Sequence, residues 1–182
     1  MKILVKERDV NYYDELLYIC TFSKKIVNKP TSKVRKLSKY YKNYCIVFAI
    51  LLFIFYIDVL VTGNDIFDMC MFFSCFLFLC ITIKGVFQTK NLLKQYVSMD
   101  GDGFFEINDD VLSIQKSDGS LMSVKWDSVR YIILNKYSIV FVPKDNVGVL
   151  LSISVKYSDE VLKIIDKYNK NELVIDNRKL YK

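Results

Sequence analysis

Residues 44–61 read YCIVFAILLFIFYIDVLV, and residues 66–87 read IFDMCMFFSCFLFLCITIKGVF. Asp58 is the only charge in the first stretch, and the second carries Asp68 and Lys84 near its two ends. As α-helices they are about 27 and 33 Å long, close to the bilayer hydrocarbon thickness of about 30 Å. The sequence therefore predicts a transmembrane hairpin over residues 44–87. The alternative, a hairpin buried in a soluble protein, would require one small domain to cover two helices that are apolar on all faces.

The charges that flank the two stretches predict their orientation. Between residues 24 and 42 there are only basic charges, and Lys84, Lys90 and Lys94 close the second stretch. The short connection between the stretches carries Asp65 and Asp68 and no base. About forty mostly polar residues precede the hairpin, so no cleaved signal peptide is expected. By the positive-inside rule, the chain is expected to be a multi-pass membrane protein with both termini in the cytoplasm.

The composition excludes several classes of chemistry. The 182 residues carry a net charge of +6 and contain no histidine, which excludes imidazole-based acid–base catalysis, Ser-His-Asp triads and imidazole metal sites. Cys70, Cys75 and Cys80 recur every five residues, a spacing that scatters them around a helix and forms no metal site. The cysteines are predicted to be reduced thiols, with palmitoylation of Cys45 as an alternative. We expect no cofactor.

Residues 1–43 are predicted to contain a strand (2–6), a helix (11–27) and a basic juxtamembrane arm. Asp14 and Glu15 are placed in the first turn of the helix, which either packs on a protein core or lies on the lipid surface. The arm carries five cations for which contact with anionic lipid headgroups is expected: Lys33, Arg35, Lys36, Lys39 and Lys42. Nucleic acid is not expected as a partner, because lipid is the nearer anion.

Downstream of the hairpin, the apolar pattern changes from helical to alternating. Residues 100–170 are predicted to form an antiparallel meander closed by a helix over 157–170 with Ser158 as its N-cap, and residues 171–182 a tail. Turns are expected at Asn108-Asp109-Asp110 and at residues 117–120. The six predicted strands are 104–107, 111–116, 121–126, 131–135, 137–142 and 147–155.

The segment Val124-Lys125-Trp126-Asp127-Ser128-Val129 follows a strand, an acidic turn and a strand, downstream of a two-helix anchor. Over about residues 100–170 this pattern resembles the YcxB-like family of small bacterial membrane proteins. The resemblance implies a cytoplasmic pleckstrin-homology-like (PH-like) β-domain and gives no catalytic residues. Here Val142-Pro143-Lys144 closes the strand that begins at Tyr137, whereas the family is expected to have Pro-Lys after the following strand.

Individual polar and aromatic residues favour structural roles over catalysis. The acids are dispersed over turns, Asp109-Asp110 is typical of a solvated turn, and no Gly-rich phosphate loop or nucleophile elbow occurs. Asp58 is interpreted as an interfacial carboxylate, with helix pairing or an ion relay as the alternative. Trp126 is interpreted as a core anchor. We therefore do not expect an enzyme.

The sequence thus predicts an α+β membrane protein with a two-helix transmembrane hairpin and a cytoplasmic antiparallel PH-like β-domain capped by a C-terminal helix. The function that it favours is non-enzymatic: presenting that domain for protein binding or regulation. The alternative is an immunity or envelope-stress protection protein that acts through the hairpin. The expected partners are membrane lipids and a protein of unknown identity, and a homo-oligomer is left open.

Overall fold

A computed structural model describes residues 2–6, 9–62, 66–99, 103–108, 110–115, 119–144 and 151–181. These residues form a mixed α+β structure with two long apolar helices. The helices are α1 (Val10–Thr21), α2 (Ser23–Asn28), α3 (Leu37–Thr62), α4 (Ile66–Met99) and α5 (Ser158–Lys167). The strands are β1 (Lys2–Val5), β2 (Gly103–Ile107), β3 (Val111–Gln115), β4 (Leu121–Lys125), β5 (Val129–Leu134), β6 (Ser138–Pro143), β7 (Leu151–Ser154) and β8 (Val174–Asp176).

The chain divides into two compact units. The helical unit is Leu37–Gln95, and the β unit combines Met1–Lys36 with Tyr96–Lys182. The sequence analysis assigned residues 1–43 and 100–170 to separate segments, whereas the structure groups residues 1–36 with the strands. Some predicted features lie outside the described residues: Asp65 in the helix connection, Asp109 and residues 117–118 in turns, and residues 147–150 at the start of the last predicted strand.

In the helical unit, α3 and α4 pack antiparallel along one seam. Phe48 stacks on Phe78 with ring centroids 5.3 Å apart, and Tyr56 lies 6.4 Å from Phe72. The less exposed positions recur at alternating spacings of four and three, as in a coiled coil. They are Tyr41, Cys45, Phe48, Leu52, Phe55 and Val59 on α3, and Phe72, Cys75, Leu79, Thr82 and Val86 on α4.

Away from this seam, the surface of the helical unit is apolar and exposed. In the most apolar 18-residue stretch of α3, no residue is buried. In the most apolar 18-residue stretch of α4, 11% of the residues are buried. The exposed side chains include Ile50, Phe53, Leu60, Phe73, Leu77 and Ile81. Both helices are long and apolar enough to cross a membrane, which confirms the prediction of two such helices.

The β unit contains two four-stranded sheets rather than one six-stranded meander. Sheet A has the order β1-β2-β3-β4 and is antiparallel, and sheet B has the order β7-β6-β5-β8. In sheet B, β8 runs parallel to β5, with Val174 opposite Ile132. The prediction of a tail over residues 171–182 is therefore wrong, because this segment supplies an edge strand. The N-terminal strand was predicted, and it completes sheet A by pairing with β2.

The inner faces of the two sheets enclose the main core together with α5. Phe105 of sheet A and Phe141 of sheet B are fully buried, with ring centroids 5.6 Å apart. The predicted apolar stripe of α5 covers this core through Val161, Ile164 and Ile165. Ser158 is not the N-cap of α5, because a 3-10 turn over Val155–Tyr157 leads directly into the helix, and the Ser154 hydroxyl caps that turn instead.

The opposite, outer face of sheet B is covered by α1. The Tyr12 hydroxyl lies 2.8 Å from the Ser152 hydroxyl on β7, so α1 takes the core-packing alternative that the sequence left open. The predicted continuous helix over residues 11–27 is interrupted at Phe22, where the Thr21 hydroxyl bonds back to the Leu17 carbonyl oxygen at 2.8 Å.

The N-terminus of α1 also differs from the prediction. Asp9 precedes the helix and caps it by accepting a hydrogen bond from the backbone N–H of Asn11 at 2.8 Å. Asp14 and Glu15 therefore lie beyond the first turn, and both are buried. The assignment of these two acids to the first turn is wrong, because the helix already begins at Val10 and both acids lie buried further along it.

Candidate functional site

Glu15 is a buried acid on α1, on the side of the helix that faces sheet B. It lies three residues after Tyr12 and four before Ile19, so helical spacing turns all three side chains toward sheet B. Only 1% of Glu15 is exposed. A carboxylate at such a position requires hydrogen-bond donors, because burying an unpaired charge is costly.

The donors come from the hairpin that joins β5 to β6. The backbone N–H of Tyr137 donates to Glu15 Oε2 at 2.7 Å. The Ser138 hydroxyl and the backbone of Lys136 also hydrogen-bond with this carboxylate. Burial nevertheless outweighs these bonds and raises the pKa of Glu15 from 4.5 to about 7. Glu15 can therefore gain or lose a proton near neutral pH.

The C-terminal segment closes the cluster from a third side. Tyr181 Oη donates to the Val34 carbonyl oxygen at 3.0 Å and accepts from the Val34 N–H at 3.1 Å. Asn177 Nδ2 donates to the Pro30 carbonyl oxygen at 2.7 Å. Burial, followed by the nearby charge of Glu15, raises the pKa of the Tyr181 hydroxyl. The C-terminus thus holds residues 30–34, which lie just before α3, beside Glu15.

Asn135 completes the set of buried polar side chains. It is fully buried, and its Nδ2 atom donates to the Ser138 hydroxyl at 3.4 Å. Its Oδ1 atom accepts no hydrogen bond from the residues that the structure describes. An unpaired buried oxygen costs about 1–3 kcal/mol, and most buried polar groups in folded proteins do have a hydrogen-bond partner. We refer to Glu15, Asn135, Ser138, Asn177 and Tyr181 as the Glu15 cluster.

The chemistry available to this cluster is proton exchange. Glu15 is enclosed, so its carboxylate does not face a substrate cleft. Within the described ranges no group of three or more Cys, Asp or Glu residues could hold a metal ion. Because the cluster joins α1, the β5–β6 hairpin, residues 30–34 and the C-terminus, a change in the charge of Glu15 acts on all four segments together.

The five cations predicted to contact lipid have different surroundings. Lys36 bonds to the Asn11 side chain, and its Nζ lies 4.8 Å from the centroid of the Tyr137 ring. Lys33 lies over the Tyr181 ring at 5.2 Å. Arg35, Lys39 and Lys42 are exposed. Lys36 therefore helps to hold the arm on the β unit, a role that the charge pattern did not indicate.

The structure also places the other two residues singled out from the sequence. Trp126 is 3% exposed and belongs to the main core, where its Nε1 donates to the Asn108 carbonyl oxygen at 3.1 Å. Asp58 is half-buried on α3 in the helical unit. Neither residue lies in the Glu15 cluster. Sequence analysis missed the cluster, although the position of Glu15 between Tyr12 and Ile19 on one helical face was a usable signal.

A second surface of note lies on the outer face of sheet A. Strand register places Leu4 opposite Phe104, Phe104 opposite Gln115, and Gln115 opposite Leu121. Leu4, Phe104 and Leu121 are all exposed, Leu121 to 64%. These three residues, which we call the outer row, lie on β1, β2 and β4, and the polar Gln115 of β3 lies between Phe104 and Leu121. Exposed apolar side chains on one sheet face offer a small contact surface for a protein partner.

Comparison with family models, curated proteins and solved structures finds no match to this chain.

Proposed function

We propose that this chain is a non-enzymatic, multi-pass protein of the bacterial cytoplasmic membrane that presents its β unit to the cytoplasm for protein binding. The observation that carries the proposal is the surface of the helical unit. The seam is lined mainly by Phe, Leu, Val, Tyr, Cys and Thr side chains, whereas the remaining circumference is exposed and largely apolar. In water, this helix pair would expose a large apolar surface, which is unfavourable. In a bilayer, the same surface would contact lipid acyl chains, which are also apolar.

The charges beside the helices support the cytoplasmic location of the β unit. Exposed Lys39 and Lys42 lie near the start of α3, and exposed Lys84, Lys90 and Lys94 lie in the second half of α4. In the antiparallel pair these two regions lie at the same end. At this end the chain enters α3 from residue 36 and leaves α4 toward residue 96, and both residues belong to the β unit. The positive-inside rule assigns that end to the cytoplasm. The proposed PH-like character of the β unit rests on the resemblance to the YcxB-like family.

Cysteine labelling tests the topology. In a cysteine-free background, a membrane-impermeant maleimide applied to intact cells is expected to label a cysteine at Asn64 and not one at Ser117. After permeabilisation, both positions are expected to react. Labelling of the Ser117 position in intact cells contradicts the orientation, and recovery of the protein in the soluble fraction contradicts membrane insertion.

The outer row supports protein binding, and site-specific crosslinking tests it. A photo-reactive amino acid at Leu121 is expected to give an adduct of discrete mass in cells, and the same probe at exposed Glu160 on α5 serves as the control. Leu4→Asp should remove the Leu121 adduct by placing a charge in the row. Two differently tagged copies of the chain distinguish a second copy from another protein. The proposed binding role of this surface fails if Leu121 and Glu160 behave alike.

A further inference from the structure

A groove runs between α3 and α4 within the helical unit. It is lined by Lys42, Cys45 and Ile46 on α3, and by Ile83, Val86 and Phe87 on α4. Its volume is about 370 Å³, at the lower end of the range of small-molecule sites, about 300–1,000 Å³. The groove is therefore large enough to hold part of a flexible apolar ligand.

The shape of the groove follows from side-chain size along the seam. Cys45 and Val86 are half-buried seam residues, and their short side chains form the floor. Ile46 and Phe87 are 60% and 63% exposed and form the walls. Beside the groove, the Tyr41 ring occupies the space at Gly85, where an added Cβ would lie 2.7 Å from the ring. The Tyr41 ring therefore packs directly against Gly85 of the neighbouring helix.

Cations lie beside the groove, although its own surface is almost entirely apolar. Lys42 lines it with the aliphatic part of its side chain, and the ammonium group does not form part of the lining. Lys39 lies three residues earlier, on the same helical side, and is exposed. No acid lines the groove. An apolar slot with cations at one end matches a molecule that has an acyl chain and an anionic headgroup.

We propose that this groove binds an anionic phospholipid, with the headgroup phosphate at Lys42 and an acyl chain against Ile46 and Ile83. This inference rests on the proposed membrane insertion of α3 and α4. Basic pockets between transmembrane helices at the cytoplasmic side are known to take acidic lipid headgroups. The occupant comes from the surrounding bilayer, because the groove opens on the face that the proposal assigns to lipid.

The test uses the full-length protein in nanodiscs that contain equal amounts of phosphatidylglycerol and phosphatidylcholine. Lipids retained after mild detergent extraction are measured by mass spectrometry. The wild-type protein is expected to enrich phosphatidylglycerol, and Lys42→Gln to reduce the enrichment by up to about five-fold, the factor that corresponds to about 1 kcal/mol per cation. Val86→Trp should fill the groove and lower the retention of both lipids.

Lys84→Gln is the matched control, because Lys84 is exposed on α4 close to the same level and does not line the groove. It should keep the wild-type enrichment. Equal loss in Lys42→Gln and Lys84→Gln, or no enrichment in the wild type, overturns the groove proposal while leaving membrane insertion intact. Failure of the wild-type protein to enter nanodiscs overturns the proposed function itself, so the two failures are distinguishable.

Discussion

The carboxylate of Glu15 accepts a hydrogen bond from the backbone N–H of Tyr137 at 2.7 Å, although 122 positions separate the two residues in the chain. This bond fastens α1 to the β5–β6 hairpin. The Tyr181 hydroxyl forms two hydrogen bonds with the Val34 backbone. Val34 lies two residues before Lys36, where the first chain segment of the β unit ends. The Glu15 cluster therefore ties the chain that enters α3 to the body of the β unit.

The raised pKa of Glu15 makes the stability of the β unit depend on pH. Between pH 4.5 and about 7 the folded chain holds a proton that the unfolded chain has lost, so the free energy of unfolding falls as pH rises through this window. The shift corresponds to about 3 kcal/mol. Glu15→Gln should remove this pH dependence and make the variant more stable than the wild type at pH 8. Denaturant unfolding at pH 5, 6, 7 and 8 measures the effect.

Glu160→Gln is the control for this prediction, because Glu160 is exposed on α5. It should keep the pH dependence of the wild type. If the Glu15→Gln variant shows the same slope as the wild type between pH 5 and 7, the buried carboxylate is not the titrating group.

Tyr181 is expected to stabilise the arm through its hydroxyl group. Tyr181→Phe removes both hydrogen bonds between the Tyr181 hydroxyl and the Val34 backbone. Val34 is only 3% exposed, so its N–H and carbonyl groups lose these partners in a buried position. The expected loss is about 1–3 kcal/mol, with faster hydrogen exchange at the Val34 amide. The control is Tyr131→Phe, because the Tyr131 hydroxyl forms no hydrogen bond with the described residues. Unchanged exchange at Val34 would show that Tyr181 does not hold this segment.

The contact between Gly85 and Tyr41 limits the size of residue 85. An added Cβ would lie 2.7 Å from the Tyr41 ring, so Gly85→Val forces the ring or the helices to move. Overpacking of this kind costs about 1–3 kcal/mol. Tyr41→Ala should relieve part of the cost in the double variant, and Ala49→Val, at an exposed position of α3, should cost little. Thermal unfolding in detergent, followed by helical circular dichroism, gives the comparison. Additive effects at Gly85 and Tyr41 would contradict the contact.

Trp126 anchors the core of the β unit. Trp126→Ala removes a buried ring and the hydrogen bond to Asn108, and should destabilise the β unit by about 3–5 kcal/mol. Trp126→Phe keeps an aromatic ring and should cost less. Hydrogen exchange over residues 103–144 measures the loss, while the variant should still fractionate with membranes, because helix insertion depends on a different solvent. If Trp126→Ala keeps the hydrogen-exchange protection of the wild type, Trp126 does not stabilise the core.

The sequence could predict those parts of the fold that depend on local patterns. The apolar character of residues 44–61 and 66–87 extends around the whole circumference of each helix, so no partner is needed to recognise it. Alternating residues predicted the strands of sheet A, and the stripe of α5 predicted its buried face. Trp126 could be singled out for the same reason: a large apolar side chain in a strand-rich segment is expected inside.

Only the tertiary structure decided which distant segments meet. β8 is three residues long, and its role is visible only beside β5, because so short a segment carries no periodicity of its own. From its position in the sequence, Glu15 was assigned to the helix dipole. In the structure its carboxylate accepts a hydrogen bond from the backbone N–H of Tyr137. The groove likewise requires Lys42 and Phe87 to face each other across two helices. A local pattern fixes which side of an element is buried, whereas the partner on that side depends on how the whole chain packs.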